Sequence, residues 1–261
     1  VKASFLLLLA WSASRVMRRR RSAAERHLLW TAALVAASLL PLLNLVLPSW
    51  HSDWARQAIS ILPASLSARP FEAPVEDVDI VVRANGVEPV WAVSHLAILL
   101  WICGAAAVLL KLVTEAVKLA RFTRSAELTG DARWRHIADE VSDTLRLGRR
   151  LRLLHVARAV APMTWGFRHP TVLLPSDASA WSDERARLVL THELAHVSRS
   201  DWIVQLAAEL ICAAYWFNPL FWIARNRLCL ESERACDDIV LQTGVDGGDY
   251  ASILLDVART M

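Results

Sequence analysis

Long apolar runs fill the first half of the chain, and amphipathic periodicity takes over in the second. Positions 3–13 are almost wholly apolar, but too few to cross about 30 Å of hydrocarbon alone. They are expected to be the end of a membrane helix. Positions 28–47 form a second run, interrupted only by Thr31, Ser38 and Asn44, with a kink expected at Pro41. Trp30 and Trp50 stand near its two ends, where interfacial anchors are expected. A third run, 90–113, carries no charge before Lys111. Arg18 to Arg21 lie between the first two runs, and Lys111, Lys118, Arg121 and Arg124 close the third. Basic flanks mark the cytoplasmic side. The three runs therefore agree on one path: outside, inside, outside, inside.

Between the second and third runs, 49–89 is broken by prolines and Asn85-Gly86 and reads as an outer loop, with one edge strand over 75–82. His51 and Asp53 within it are read as exposed loop polarity. Beyond 114 the periodicity predicts an amphipathic helical stretch over 115–148 with a break near Gly130. Short strands are predicted over 151–156 and 171–174, joined through Pro162, Gly166 and Pro170. Ser182 with Asp183 and Glu184 marks a helix start, a hydroxyl cap followed by acids. That helix is expected to run to about Ser200, with Asp201 capping the next. Positions 202–224 are apolar but broken by Asn218-Pro219. A helix pair packed on the core or lying in the bilayer surface is expected there, rather than a full span. A helix over 229–243, closed by Gly244, and an amphipathic helix over 250–260 complete the pattern.

Composition adds little to this. The chain is 55% apolar, and its net charge of +3 gives no nucleic-acid footprint. Cys103, Cys212, Cys229 and Cys236 show no C-x-x-C pairing and are read as small buried hydrophobes in a reducing compartment. The chain opens on Val1 and is expected to be a fragment.

The chemistry concentrates in one helical stretch, His192-Glu193-Leu194-Ala195-His196. Histidines four apart lie on one helix face and can share a zinc ion. Glu193 then sits beside the metal, placed to take a proton from water. About forty residues later come Glu231, Glu233 and Asp237. Glu233 and Asp237 are one turn apart, which suits one carboxylate on the metal and one behind it holding a histidine N–H. Glu231 is the rival third ligand, and Cys236 is close enough in sequence for a thiolate alternative. For stabilising an oxyanion the sequence offers only guesses: His155, His169 and Tyr215.

The runs H-E-L-A-H-V-S-R-S-D-W, W-F-N-P-L-F-W, E-S-E-R-A-C-D-D-I-V and W-G-F-R-H-P-T-V-L-L-P resemble the integral-membrane metallopeptidases of the β-lactam receptor (BlaR/MecR) antirepressor family. The resemblance extends over essentially the whole chain. It implies a mainly α membrane protein with a cytoplasmic α+β gluzincin domain and a small sheet. The implied divisions are 1–48, two membrane helices with a basic loop; 49–89, an outer loop; 90–113, a third membrane helix; and 114–261, the zinc peptidase. It implies Zn2+ on His192, His196 and Glu233, Glu193 as general base and Asp237 behind the metal. An edge strand, 164–167 or 171–174, is expected to pair with extended substrate. The implied role is signal transduction at the bacterial inner membrane, by cleavage of the chain itself or a cytoplasmic repressor. The implied partners are the lipid bilayer and a protein substrate; a homodimer is compatible with them, and direct nucleic-acid contact is not expected. Two other roles fit the same residues: membrane-protein quality control, and a non-catalytic transducer.

Overall fold

The computed structural model describes residues 2–18, 20–46, 90–124, 126–149, 151–156, 161–166 and 169–259. The expected outer loop, its edge strand, His51, Asp53 and Trp50 lie outside the described residues. The chain divides into two compact units, Val1–Ser38 with Ile102–Met261, and Leu39–Trp101. In the second unit the described residues are helical, and Val93, Leu96, Ile98, Leu99 and Leu100 are exposed.

The larger unit begins with α1 (Lys2–Met17) and α2 (Ala23–Val46), the latter running on past the unit's end. Leu7, Ala10, Trp30, Ala33, Leu34 and Ala37 bury their apolar faces in one core. The other side of that core is supplied by α6 (Asp201–Ala214) and α7 (Pro219–Leu241). Trp30 is 1% exposed inside this core, so it is not the interfacial anchor expected of it; a whole indole is covered by helices from far along the chain. The other faces leave Phe5, Leu8, Leu9 and Leu28 exposed.

The third apolar run becomes α3 (Val90–Arg124), a single helix of 35 residues that continues past the expected end at 113. Among the described residues, 93–124 is the stretch long and apolar enough to cross a membrane. A β-carbon at Gly104 would collide with the indole of Trp216, so glycine is what allows that approach.

The amphipathic stretch expected over 115–148 falls into the last part of α3, the short strand β1 (Glu127–Leu128) and α4 (Ala132–Thr144), with the expected break at Gly130 just before α4. Asp131 caps α4, its side chain accepting from the Arg133 N–H. The sheet continues with β2 (Arg152–His155), β3 (Met163–Trp165) and β4 (Thr171–Leu174) in the order β1-β2-β4-β3. β2 and β4 are parallel; the other pairs are antiparallel. Val172, Leu173 and Leu174 are fully buried, as a central strand covered on both faces requires. Alternation sends Val172 and Leu174 into the core with Trp134, Ile137 and Leu190, and Leu173 to the other face with Leu154 and Phe122.

The next helix, α5 (Asp183–Arg199), starts where the sequence predicts, with Ser182 Oγ accepting from the Arg185 N–H at 3.2 Å. Arg187 ties it to Glu140 of α4 at 2.5 Å. It ends at Ser200, whose φ of 58° is left-handed. Asp201 is therefore the first residue of α6, not its cap. The Asn218 side chain caps α7 by accepting from the Leu220 N–H at 3.1 Å, and Pro219 begins it. The helix expected over 229–243 thus starts ten residues earlier, at Pro219. α8 (Gly247–Arg259) packs Tyr250 and Ile253 against Leu188 and Val240.

Candidate metal centre

One turn of α5 presents His192 and His196 with ring centroids 5.1 Å apart. Glu233 of α7 faces both: its carboxylate oxygens lie 3.6 Å from His192 Nε2 and 3.7 Å from His196 Nε2. These three side chains offer donor atoms all within 4.8 Å of one another, a spacing that one ion can bridge.

The far edge of each ring is also held. His196 Nδ1 lies 2.9 Å from Asp201 Oδ2. His192 Nδ1 lies 3.2 Å from Asp237 Oδ1 and 3.1 Å from the Tyr250 hydroxyl, which itself donates to Asp237 at 2.8 Å. A carboxylate only accepts, so each Nδ1 carries a proton, and each Nε2 is turned toward Glu233. Asp201 is fully anchored on that oxygen, accepting also from Ser232 Oγ at 2.6 Å and Arg199 Nε at 3.1 Å.

The electrostatics favour a cation. Burial works against charge on His192, yet hydrogen bonds to Asp237 and Glu233 outweigh it and raise its pKa to about 10. Burial likewise opposes ionisation of Asp201, but His196, Ser232 and Arg199 bring it down to about 2. The hydrogen bond from His192 is the main reason Glu233 is held below the usual carboxylate range. Glu193 is 8% exposed; burial pushes its carboxyl up, and Thr164, donating to Oε2 at 2.7 Å, opposes this. A site with this surplus of carboxylate, and two Nε2 atoms converging on it, fits a divalent ion with nitrogen and oxygen ligands.

Both rivals to Glu233 face elsewhere. Glu231 is 1% exposed, with one oxygen on Arg26 at 2.8 Å and the other on Arg234 at 2.9 Å. Cys236 Sγ sits 3.3 Å from His196 Nδ1, the opposite edge of the ring from Glu233. Burial and Asp201 push its thiol up, so it stays protonated. Cys103, unlike buried Cys212 and Cys236, is exposed. The oxyanion guesses fail on position. His155 packs edge-on to Trp134, and Tyr215 stacks on Phe221 and donates to the Ser38 carbonyl. Neither these two nor His169 line the cleft.

That cleft, of about 240 Å³, is lined by Thr164, Trp165 and Gly166 together with His192, Glu193 and His196. A second recess of about 200 Å³ adjoins it, walled by Val189, Tyr250, Ile253 and Leu254. β3 is the outer strand of the sheet beside the cleft, whereas β4 is enclosed between β2 and β3. Of the two strands offered for substrate pairing, β4 is thus excluded. Asp201, Tyr250, Thr164 and Ser232 were not legible as site residues. Asp201 carried one signal, its position five residues after His196.

The chain matches the family described as BlaR1 peptidase M56 over residues 1–260, and it belongs to that family of peptidases. It is 29% identical over 143 residues to the regulatory protein BlaR1 of Bacillus licheniformis, covering 55% of this chain and 24% of that protein. The chain thus spans about a quarter of the length of that curated relative. The resemblance read from the motifs stands on this match.

Proposed function

We propose that this chain is a membrane-embedded zinc metalloendopeptidase of signal transduction, cleaving itself or a cytoplasmic repressor protein. The observation that carries it is the pair of Nε2 atoms turned to one carboxylate, each backed at Nδ1 by its own acid. His192, His196 and Glu233 would hold the ion. The chemistry a zinc ion would supply there is Lewis acidity toward water and a peptide carbonyl. Glu193 takes the proton of the attacking water and delivers it to the leaving amine. Its burial, which favours the protonated carboxyl, suits the second half of that task. Thr164 holds its Oε2 and belongs to β3, so the base and the strand beside it are tied together.

Substrate adds to the open edge of β3 as an extended strand, which runs its scissile bond across the cleft. The recess by Val189, Ile253 and Leu254 takes an apolar side chain next to that bond. The apolar, exposed α3 crosses the bilayer, joined by α1 and α2, whose outer apolar faces meet lipid. The basic flanks of the apolar runs support a peptidase on the cytoplasmic side.

Glu193→Gln is the test. Hydrolysis of a labelled unfolded protein is expected to vanish while one zinc per chain stays bound. Full activity in that variant discards the mechanism; loss of zinc shows that Glu193 is needed for more than proton transfer.

A further inference from the structure

The first turn of α2 reaches the back of the ligand helix. Ser22 and Glu25 form a capping box: the Glu25 N–H donates to Ser22 Oγ at 3.3 Å, and the Ser22 N–H to Glu25 Oε2 at 3.2 Å. The start of α2 is thereby set, and with it the direction of the next two side chains. Arg26 and His27 are each 8% exposed. Arg26 Nε donates to Glu231 Oε2 at 2.8 Å, and its Nη1 donates to the Arg21 carbonyl at 2.6 Å. His27 Nε2 stands 3.9 Å from Asp201 Oδ1, and neither atom hydrogen-bonds among the described residues. Consecutive residues of α2 therefore face both supports of the centre: the helix of Glu233, and the acid behind His196.

Glu231 and Glu233 are two residues apart, so they leave α7 on nearly opposite sides. One side is clamped by Arg26 and the other faces the histidines. A buried ion pair seldom adds stability over an apolar pair of equal volume, but it can fix register. We propose that Arg26 is a positioning residue for the metal centre: through Glu231 it sets the rotation of α7, and so the place of Glu233 before His192 and His196. This rests on the reading of those three as metal ligands. It makes α2 the element by which a displacement in the N-terminal helices reaches the site.

The test uses the full chain in detergent, loaded with Co2+ alone and followed by visible absorption. Arg26→Met with Glu231→Gln removes the charge pair and leaves an acceptor for Arg234. The expected variant keeps wild-type helicity, binds Co2+ at least about tenfold more weakly and shows shifted ligand-field bands. Wild-type affinity and bands in the folded variant overturn the proposal. Absence of Co2+ binding in the wild type removes the ligand reading itself, and this proposal with it. If the double variant fails to fold, Arg26→Lys, which keeps the charge and loses the planar fork, is judged by the same two outcomes.

Discussion

His196 Nδ1 lies 2.9 Å from Oδ2 of Asp201, a residue only five positions further along the chain. An unbroken helix would carry position 201 away from that ring, since five residues advance about 140° beyond a full turn. The left-handed Ser200 reverses the chain, and the first residue of α6 then faces back onto α5. Oδ2 accepts from His196, Ser232 and Arg199 together, so this one oxygen joins α5, α6 and α7.

Asp201→Asn removes the negative charge behind His196 and frees its ring to turn. Zinc affinity is expected to fall about 10- to 100-fold, measured by competition with a chromogenic chelator. An unchanged affinity would mean that Asp201 does not orient the ring.

Ser200→Gly should leave the metal centre intact and raise stability. A left-handed φ costs an L-residue about 1 kcal/mol that glycine does not bear, against a smaller gain in unfolded-chain entropy. A modest rise in Tm with unchanged zinc binding is expected. Ser200→Val should lower Tm and weaken zinc binding together, because strain at the reversal displaces Asp201. A variant series in which Tm and zinc affinity ignore residue 200 would refute this account of the turn.

The pH dependence of the metal-free protein follows from His192. Its pKa rises from 6.5 to about 10 on folding, so the folded state binds the proton more tightly than the unfolded chain. The resulting stability is complete below about pH 6.5 and is lost as pH climbs through about 10. Denaturant melts of the metal-stripped protein across that window should show a falling midpoint. Zinc needs the neutral ring, so its added stabilisation should grow over the same window. A flat metal-free profile would show that Asp237 and Glu233 do not hold a proton on His192.

Much of the centre is local. The facing of His192 and His196 follows from four-residue spacing in any helix, and Glu233 and Asp237 obey the same rule on α7. The cap at Ser182 and the break at Asn218-Pro219 are also properties of short segments. β1 was not legible because two residues carry no alternation; Glu127 and Leu128 are a strand only by pairing with His155 and Leu154. Trp30 and Pro41 looked alike as features of a membrane run, yet Trp30 is covered by α6 and α7, elements more than 160 positions away.

From residue order alone came the H-E-x-x-H helix, the acidic helix after it, the apolar runs and the family, since backbone hydrogen bonding and side-chain periodicity act within a few residues. Asp237, one turn after Glu233, already favoured Glu233 over Glu231 as the acid facing the histidines; where Glu231 turns instead was visible only in three dimensions. Glu231 lies in the same helix as Glu233, and the cation that packing brings to it is Arg26, 205 positions away, beside Arg234 of its own helix. A buried carboxylate takes the cation that packing delivers to it, and packing depends on the whole chain.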